Sequence, residues 1–275
     1  MARIGRYELS EISFSRLIYA LKERIDEIPH ALAWNFSALS TQNKRFLEQY
    51  REIHVGERCF IVANGPSLLR TNLDLLSNEF SFGMNRIYLN FDKSSFRPSY
   101  FVTINDLILE QCKTDISALP MPKFINWNRQ ALYGLPSSDL MFIKSKFVIR
   151  DSFQGDATHP MVFGATVTFA ALQLAYYMGF RKVILIGLDH NYAEKSTPSR
   201  VETRISERDE SHFHPQYFPK GFKWQPPDLL RSEIEFELAR QAYEADGREI
   251  LDATIGGSCQ VFKKVEYGSL FNLTK

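Results

Sequence analysis

The sequence lacks the two glycine-rich signatures by which nucleotide-binding loops are usually recognised. No Gly-Lys-Ser/Thr follows a glycine-rich turn, and no Gly-x-Gly-x-x-Gly occurs. An excess of one charge is also lacking, because 33 Lys and Arg stand against 32 Asp and Glu. No overall field therefore favours nucleic acid or an acidic membrane surface, and any bound nucleotide must be held by another arrangement.

Long apolar runs are missing as well, since none approaches the roughly 20 residues that cross a bilayer. The N-terminus lacks the apolar stretch of a secretory signal. We expect no transmembrane segment and a protein that is cytoplasmic or peripheral to the inner face of the membrane. Cys59, Cys112 and Cys259 are odd in number and far apart, which predicts buried thiols rather than disulfides or a zinc site.

The 275 residues, 44% of them hydrophobic, suffice for one main domain with a large core. Residues 1–52 are predicted to form an N-terminal helical arm, because apolar residues recur at helical spacing and are interrupted only near Pro29. Residues 53–275 are predicted to form the main domain, which includes a loop at about 190–228.

Short apolar runs alternate with helical or looped segments along the main domain, which is typical of an α/β fold. We predict a Rossmann-like, mostly parallel sheet with helices on both faces. Helices are expected over 165–178, stopped by Gly179, and over 229–243. The predicted strands are 60–63, 80–84, 100–104, 124–126, 147–149, 183–187 and 249–251.

The most informative segment is the turn Asn64-Gly-Pro-Ser67, which ends the first of these strands. Gly65 is expected to adopt a backbone conformation closed to other residues and to let a ligand approach the main chain. Pro66 suits the first helical position, and Ser67 brings a hydroxyl to free helix N–H groups. This predicts a phosphate-binding turn, although a strand-to-helix turn without a ligand explains the segment equally well.

Other strands also end in Asn, Asp or Ser. Carboxyl ends of parallel strands meet at one edge, where ligands bind in open α/β sheets. Asn donates and accepts hydrogen bonds, which suits a nucleotide or a sugar, but each single Asn is also explained as a turn cap. The predicted ligands at this edge include Asn85, Asn105, Asp106, Gly187 and Asp189.

A polar stretch at about 190–228 is predicted to be a lid loop, because it is long, poor in periodicity and rich in prolines. His212 and His214 could act as general bases, an interpretation that we favour over a metal site. Asp189 and Asp106 could bind Mg²⁺, or Asp189 could orient a histidine, and we leave both interpretations open. Tyr217 could stack on a base or a sugar.

The chain resembles the MptE-like 6-hydroxymethylpterin diphosphokinase family over roughly residues 45–271. The resemblance rests on Asn64-Gly-Pro-Ser67, Gly83-Met-Asn85, Asn105-Asp106, Gly187-Leu-Asp189-His-Asn-Tyr192 and Ser211-His-Phe213. It implies pyrophosphoryl transfer from ATP to a pterin alcohol, with Mg²⁺ and carboxylates at the strand ends.

A more distant resemblance is to bacterial CMP-sugar-dependent sialyltransferases, which begin with a similar turn. It implies a nucleotide held by Asn64, Gly65, Ser67 and Asn85, and it is extended by Gly164-Ala-Thr166 before a helix and by Gly187-Leu-Asp189. It further implies chemistry without a metal, a loop histidine as base, and tyrosines, here Tyr192 or Tyr217, that assist the departing phosphate. The family's later histidine aligns near Gln216, so the base stays open between His212 and His214.

We therefore expect a transferase, and favour a glycosyltransferase that moves a sugar from a CMP-type nucleotide donor to a glycan hydroxyl without a metal. The alternatives are the Mg²⁺-dependent diphosphokinase, which has a small-molecule acceptor, and a non-catalytic nucleotide or glycan binding module. A role in polysaccharide biosynthesis is expected, nucleic acid is not expected as a partner, and homo-oligomerisation is left open.

Overall fold

The computed structural model describes residues 3–4, 7–8, 14–148, 150–191 and 202–271. Seven α-helices lie in these ranges: α1 Phe14–Phe36, α2 Ala38–Glu48, α3 Asp106–Gln111, α4 Lys113–Ser117, α5 Gln130–Tyr133, α6 Val167–Tyr177 and α7 Leu229–Ala245. Short 3-10 helices lie at Pro66–Arg70, Leu73–Leu76, Ile87–Asn90, Trp127–Arg129 and Gly268–Leu270.

The described ranges also contain twelve β-strands, eight of which form the central sheet. The strands are β1 Arg3–Ile4, β2 Tyr7–Glu8, β3 Arg58–Val62, β4 Phe80–Met84, β5 Tyr100–Thr103, β6 Lys123–Asn126, β7 Leu140–Ile143, β8 Lys182–Ile186, β9 Arg204–Ile205, β10 Lys223–Trp224, β11 Glu249–Asp252 and β12 Lys263–Lys264. The sheet order is β12-β11-β8-β3-β4-β5-β6-β7, and every neighbouring pair is parallel.

The sheet is covered on both faces, as its strand composition requires. Strands buried on two sides read as continuous apolar runs, and residues 59–62 of β3 are all fully buried. From β3 to β7 the chain adds strands in one direction, and after β7 it returns to the other side of β3 and adds β8, β11 and β12 in the opposite direction. Right-handed crossovers therefore put the β3-to-β7 connections on one face of the sheet and α6 and α7 on the other. The Rossmann-like α/β fold predicted from the sequence is confirmed.

One predicted strand is wrong. We expected a strand at 147–149, whereas the structure places β7 at Leu140–Ile143. Burial explains the difference, because Met141, Phe142 and Ile143 are fully buried whereas Phe147 is 58% exposed.

The predicted break near Pro29 is also wrong, since Pro29 lies inside α1. A proline removes one helical hydrogen bond, and the packing of the following turn offsets that loss. The Trp127 indole donates to the His30 carbonyl at 3.1 Å, and Trp34, which is 1% exposed, packs edge-on against Trp127. Tertiary contacts thus hold the helix together across the proline.

The lid is more ordered than predicted where the structure describes it. β9 and β10 form a small antiparallel pair inside residues 202–228. The Gln111 side-chain amide donates to the Lys223 carbonyl and accepts from the Lys223 N–H, at 2.9 Å each. These two hydrogen bonds fix β10 to the end of α3. Residues 202–228 of the lid are therefore a docked substructure with aromatic side chains.

Several smaller predictions are confirmed. Cys59, Cys112 and Cys259 are buried free thiols, and Gly179 ends α6 with a φ of +90°. Within the described ranges, no helix has the length and apolar character that a membrane span requires.

Candidate active site

The strand order reverses between β3 and β8, which places a ligand-binding crevice at their carboxyl ends. The turn after β3 therefore lies beside the turn after β8, and the Gly65 N–H donates to the Gly187 carbonyl at 2.9 Å. The two turns are far apart in the sequence, yet they form one wall of this crevice.

Asn64 follows β3 and is 8% exposed. Its side-chain amide donates to the Met84 carbonyl at 3.1 Å, and its own carbonyl accepts from the Phe213 N–H of the lid at 3.0 Å. Its Oδ1 atom is buried and has no hydrogen-bond partner within the part of the chain that the structure describes. A buried acceptor of this kind is costly unless a donor satisfies it.

The reason for glycine at position 65 differs from the one predicted. Gly65 has φ −72° and ψ 163°, an extended conformation open to any residue. Space is the constraint, because a Cβ atom there would lie 1.9 Å from the Asp189 Oδ2 atom and 2.7 Å from the Gly187 carbonyl oxygen. Glycine is needed so that the β8 turn can approach.

Asp189 occupies the position that we predicted for a phosphate. Its carboxylate accepts from the Ser67 N–H at 3.1 Å and from the Ser67 hydroxyl at 2.6 Å. Pro66 begins the following helix as predicted, but that helix is a 3-10 helix of only five residues. Burial raises the pKa of Asp189 above its ordinary value, against the lowering effect of the Ser67 hydrogen bonds and Arg70. The hydroxyl predicted to meet helix N–H groups instead binds this carboxylate.

Two predicted ligands on the β4 and β5 side of the edge make local contacts. Asn85 has a left-handed φ of +51°, and its side chain accepts from the Thr103 hydroxyl at 2.9 Å. Asn105 caps α3 by accepting from the Ile108 N–H at 3.1 Å. The Asn105 contact is the turn-cap role that we held as the alternative for single Asn residues, whereas the Asn85 contact joins the ends of β4 and β5.

Asp106 and Thr166 lie elsewhere on the edge. Asp106 accepts from the Asn126 amide at 2.8 Å and pairs with Arg129 at 3.0 Å. Thr166 caps α6 through the Thr168 N–H at 3.3 Å. Neither residue is among those that line the cavity beside Asp189.

The turn that precedes α6 also binds a carboxylate. The Ala165 N–H donates to both oxygens of Glu235 at 2.9 Å, and the Glu235 side chain is fully buried. Arg231 pairs with Glu235 at 2.8 Å and with Asp151 at 2.8 Å. Gly164 has φ +73°, and a Cβ atom there would lie 2.3 Å from the carboxylate. This second anion-binding turn is therefore occupied by the chain's own Glu235 carboxylate.

In the lid, His212 pairs with Asp209, which the sequence analysis did not single out. The His212 Nδ1 atom lies 2.8 Å from the Asp209 Oδ2 atom, and the two side chains are 11% and 4% exposed. A spacing of three residues in the sequence is the signal that could have identified the pair. A carboxylate at Nδ1 orients an imidazole and fixes its tautomer.

His214 differs from His212 in its hydrogen bonding. Its Nδ1 atom accepts from the Gln216 N–H at 3.1 Å. The lone pair of the neutral ring is therefore already engaged in a hydrogen bond. Burial and the nearby cations Lys93 and Arg86 lower the pKa of His214, which keeps it neutral at pH 7. The two candidate bases are thus not equivalent.

Tyr217 lies inside the lid, with 1% exposure, and stacks on the His212 ring at 3.9 Å and 6°. Arg86 fastens this segment to the end of β4 by donating to the Gln216 carbonyl at 2.7 Å and to the Tyr217 carbonyl. The other candidate tyrosine, Tyr192, lies outside the described residues.

Two cavities meet between the sheet edge and the lid. The edge cavity has a volume of about 320 Å³ and is lined by Pro66, Asp189, Asn191, Glu210, Ser211 and Gly256. The lid cavity, of about 310 Å³, is lined by residues 204–212 with Phe218 and Trp224. Glu210 and Ser211 line both cavities, which are therefore adjacent. Within the described ranges, no group of three or more His, Cys, Asp or Glu side chains could hold a metal ion.

The fold and the crevice define a Rossmann-like α/β protein with its candidate site at the reversal of strand order. The chain belongs to the 6-hydroxymethylpterin diphosphokinase MptE-like family, whose model matches residues 32–195. A diphosphokinase is a transferase, which supports the class predicted from the sequence. A search of curated proteins finds no match.

Among solved structures, the fold is similar to that of the MAf glycosyltransferase from Magnetospirillum magneticum AMB-1. The TM-score is 0.50 at 12% identity, and the match covers 94% of this chain and 43% of that one. The chain thus spans less than half the length of this neighbour. At this identity the likeness concerns the fold.

Proposed function

We propose that the protein is a glycosyltransferase, with a nucleotide-linked sugar in the edge cavity and a glycan acceptor in the lid cavity. The observation that carries the proposal is the Asp209–His212 pair, because His212 lines the lid cavity directly after the two residues that line both cavities. A base at this position lies between a donor and an acceptor.

In the proposed reaction, His212 removes the proton from an acceptor hydroxyl. With Nδ1–H directed at Asp209, the lone pair is on Nε2, which takes that proton while Asp209 stabilises the imidazolium. The acceptor oxygen forms a bond to the anomeric carbon of the donor sugar, and the bond from that carbon to the nucleotide phosphate breaks. His214 is the weaker candidate, because the Gln216 N–H uses its lone pair.

The lid cavity has the chemical character of a sugar-binding site. Trp224 and Phe218 are stacked rings with centroids 5.7 Å apart, which suits the apolar face of a pyranose. Arg204 and several carboxylates on the same wall supply donors and acceptors for hydroxyl groups. A glycan acceptor is consistent with a role in polysaccharide biosynthesis.

A nucleoside monophosphate leaving group, such as CMP, fits the edge cavity better than a triphosphate alone. The lining includes the carboxylates Asp189 and Glu210, and no Lys or Arg of the described chain lines it. Arg70 lies beside it, since its guanidinium donates to the Ile255 carbonyl at 2.8 Å, and we assign it to the leaving phosphate. The unsatisfied Asn64 Oδ1 atom would accept from the nucleoside.

One observation favours a second candidate, the diphosphokinase of the family name. Asp189 and Glu210 line the same cavity, and Mg²⁺ binds to carboxylates together with substrate phosphates. These two residues would hold the ion, which would neutralise the phosphates of ATP. The third candidate, a binding module without turnover, involves the same cavities.

The experiment begins with a thermal-shift panel of CMP, CDP, UDP, GDP and ATP, each with and without Mg²⁺. A ligand that binds only the folded state raises its apparent stability. We expect a shift with CMP that does not need Mg²⁺. A shift with ATP that requires Mg²⁺, together with AMP release that EDTA abolishes, would replace this proposal by the diphosphokinase.

His212→Asn then tests the base, with His214→Asn as the matched control in the same lid. With CMP-linked sialic acid as the donor, we expect His212→Asn to lower the release of CMP by roughly 10²–10⁴-fold while the CMP thermal shift persists. His214→Asn should retain most of the activity. Retained turnover in His212→Asn would exclude it as the base, and binding without turnover in the wild type would identify a binding module.

A further inference from the structure

Helix α1 carries an exposed row of large apolar side chains that the proposed chemistry does not use. We define the α1 stripe as Ile18, Leu21, Ile25, Ile28, Leu32 and Phe36, each more than half exposed and Phe36 82% exposed. A monomer rarely exposes a continuous apolar patch larger than a few hundred Å². The stripe runs for about 27 Å along the helix and therefore calls for a partner.

The opposite face of α1 is already occupied by the body of the protein. The Glu27 carboxylate accepts from the Asn128 amide at 2.7 Å and pairs with Lys144. His30 and Trp34, which follow at spacings of three and four residues, contact Trp127. The α1 stripe is thus the outward face of a helix whose inward face is fixed.

The spacing within the stripe is that of a coiled-coil seam. Positions 18, 21, 25, 28 and 32 alternate in steps of three and four, so they occupy successive a and d positions of a heptad repeat. Phe36 follows at an e position, and the five a and d positions form a narrow row that matches another helix of the same kind. Such a seam is self-complementary, as a two-fold symmetric contact between identical chains requires.

The charges beside the stripe favour a second copy over a lipid surface. Lys22 and Arg24 take the e and g positions, and in a parallel pair Arg24 lies beside Pro29 of the second copy, so the arginines do not oppose each other. A helix that lies on an anionic membrane carries Lys and Arg across its polar face. The polar face of α1 instead carries Glu27, which is held by the body, and the exposed Asp26.

The area available agrees with a dimer. Phe147, which is 58% exposed, adjoins the stripe because the Arg24 guanidinium lies 4.5 Å above its ring. Six apolar helix residues together with Phe147 approach the roughly 800 Å² that each partner buries in a standard interface. We infer that the α1 stripe is the interface of a parallel homodimer of this chain.

The test measures the mass of the 275-residue chain in solution by light scattering during gel filtration. We expect the mass of two chains, and Ile25→Glu should weaken the association at least tenfold without changing the circular dichroism, because Ile25 is exposed. Leu230→Glu is the matched control, since Leu230 is 63% exposed on α7 at the other end of the sheet. It should leave the mass unchanged.

Crosslinking tests the parallel orientation. All three native cysteines are buried, so Ile25→Cys introduces an accessible thiol at a position that faces its own copy in a parallel seam. We expect a disulfide-linked dimer from Ile25→Cys under mild oxidation and none from Leu230→Cys. A wild-type mass of one chain would overturn the proposal. So would a monomer that floats with phosphatidylglycerol vesicles and loses this binding in Ile25→Glu, which would assign the stripe to a lipid surface.

Discussion

Two turns of this molecule bind a carboxylate with backbone N–H groups, and they differ in what surrounds them. At the turn after β3, the Ser67 N–H and hydroxyl bind Asp189, which is half-buried and lines the edge cavity. At the turn before α6, the Ala165 N–H binds Glu235, which is fully buried and paired with Arg231.

The same hydrogen-bonding arrangement thus serves two purposes in this molecule. A buried carboxylate with a full set of partners holds elements together, and removing it leaves those partners unpaired. A carboxylate at the wall of a cavity retains a surface that a ligand can reach. Exposure, rather than the hydrogen-bonding pattern, distinguishes the candidate site from the structural contact.

The largest expected effect on stability concerns Glu235, the fully buried carboxylate of the two. Glu235→Ala leaves the Arg231 guanidinium and the Ala165 N–H without this carboxylate in a buried environment, and should lower the free energy of unfolding by about 3–5 kcal/mol. Urea denaturation measures the change. Glu237→Ala is the control, because Glu237 pairs with Arg240 on the exposed face of α7 and such pairs contribute about 0–1 kcal/mol. Equal losses in the two variants would contradict the structural role of Glu235.

The next effect concerns the close approach of the β3 and β8 turns. Gly65→Ala places a methyl group against Asp189 and should cost about 1–3 kcal/mol of stability and abolish the nucleotide thermal shift. Gly56→Ala separates crowding from strain, because Gly56 has φ +85° and an added Cβ would meet no atom within 4 Å. It should lower stability by about 1–2 kcal/mol while ligand binding persists. Unchanged nucleotide binding in Gly65→Ala would place the ligand elsewhere.

A smaller effect on stability is expected from Asp189→Asn. The amide oxygen still accepts from Ser67, and the half-buried charge is lost, so the free energy of unfolding should stay within about 1 kcal/mol of the wild type. Thermal unfolding measures this. Activity with ATP and Mg²⁺ would be strongly reduced in the diphosphokinase, whereas the transfer reaction with His212 as base should be less affected. A large loss of stability would instead give Asp189 a role like that of Glu235.

The smallest effect is the pH dependence that Asp189 contributes. Because its pKa is raised in the folded state, that state binds more protons than the unfolded chain above the ordinary value of about 3.9. The stability contributed by Asp189 is therefore highest at low pH and falls as the pH rises through the raised pKa. In Asp189→Asn, the free energy of unfolding measured by urea denaturation should no longer decline across the pH interval between these two pKa values. An unchanged dependence on pH would show that the Asp189 carboxylate is not the cause.

Much of the fold was predictable from the sequence because its causes are local. β4 is predicted at its observed bounds, Phe80–Met84, since a buried apolar run between polar turns has few other structures. The run at Leu140–Ile143 escaped notice, and Phe147 was assigned to a strand, because a few apolar residues look alike until burial distinguishes them. Pro29 shows the same limit, since packing around Trp34 outweighs a local helix breaker.

The candidate site was predictable in its position more than in its contacts. Asn64, Ser67 and Asp189 do lie at the reversal of strand order. The pairing of Ser67 with Asp189 joins residues 122 positions apart, so no local pattern announces it. Asp209 was missed although it lies three residues from His212, because many short polar spacings in loops have no partner role.

The sequence by itself determined where apolar strands end and which polar side chains follow them, since burial patterns and turn preferences act over a few residues. Only the tertiary structure decided which of these polar groups are buried in hydrogen bonds within the chain and which line a cavity. Hydrogen bonds form between groups within about 3 Å of each other, and the fold sets those distances. For that reason the Asp189 carboxylate lines a cavity, whereas the Glu235 carboxylate is buried and holds α7 to the turn before α6.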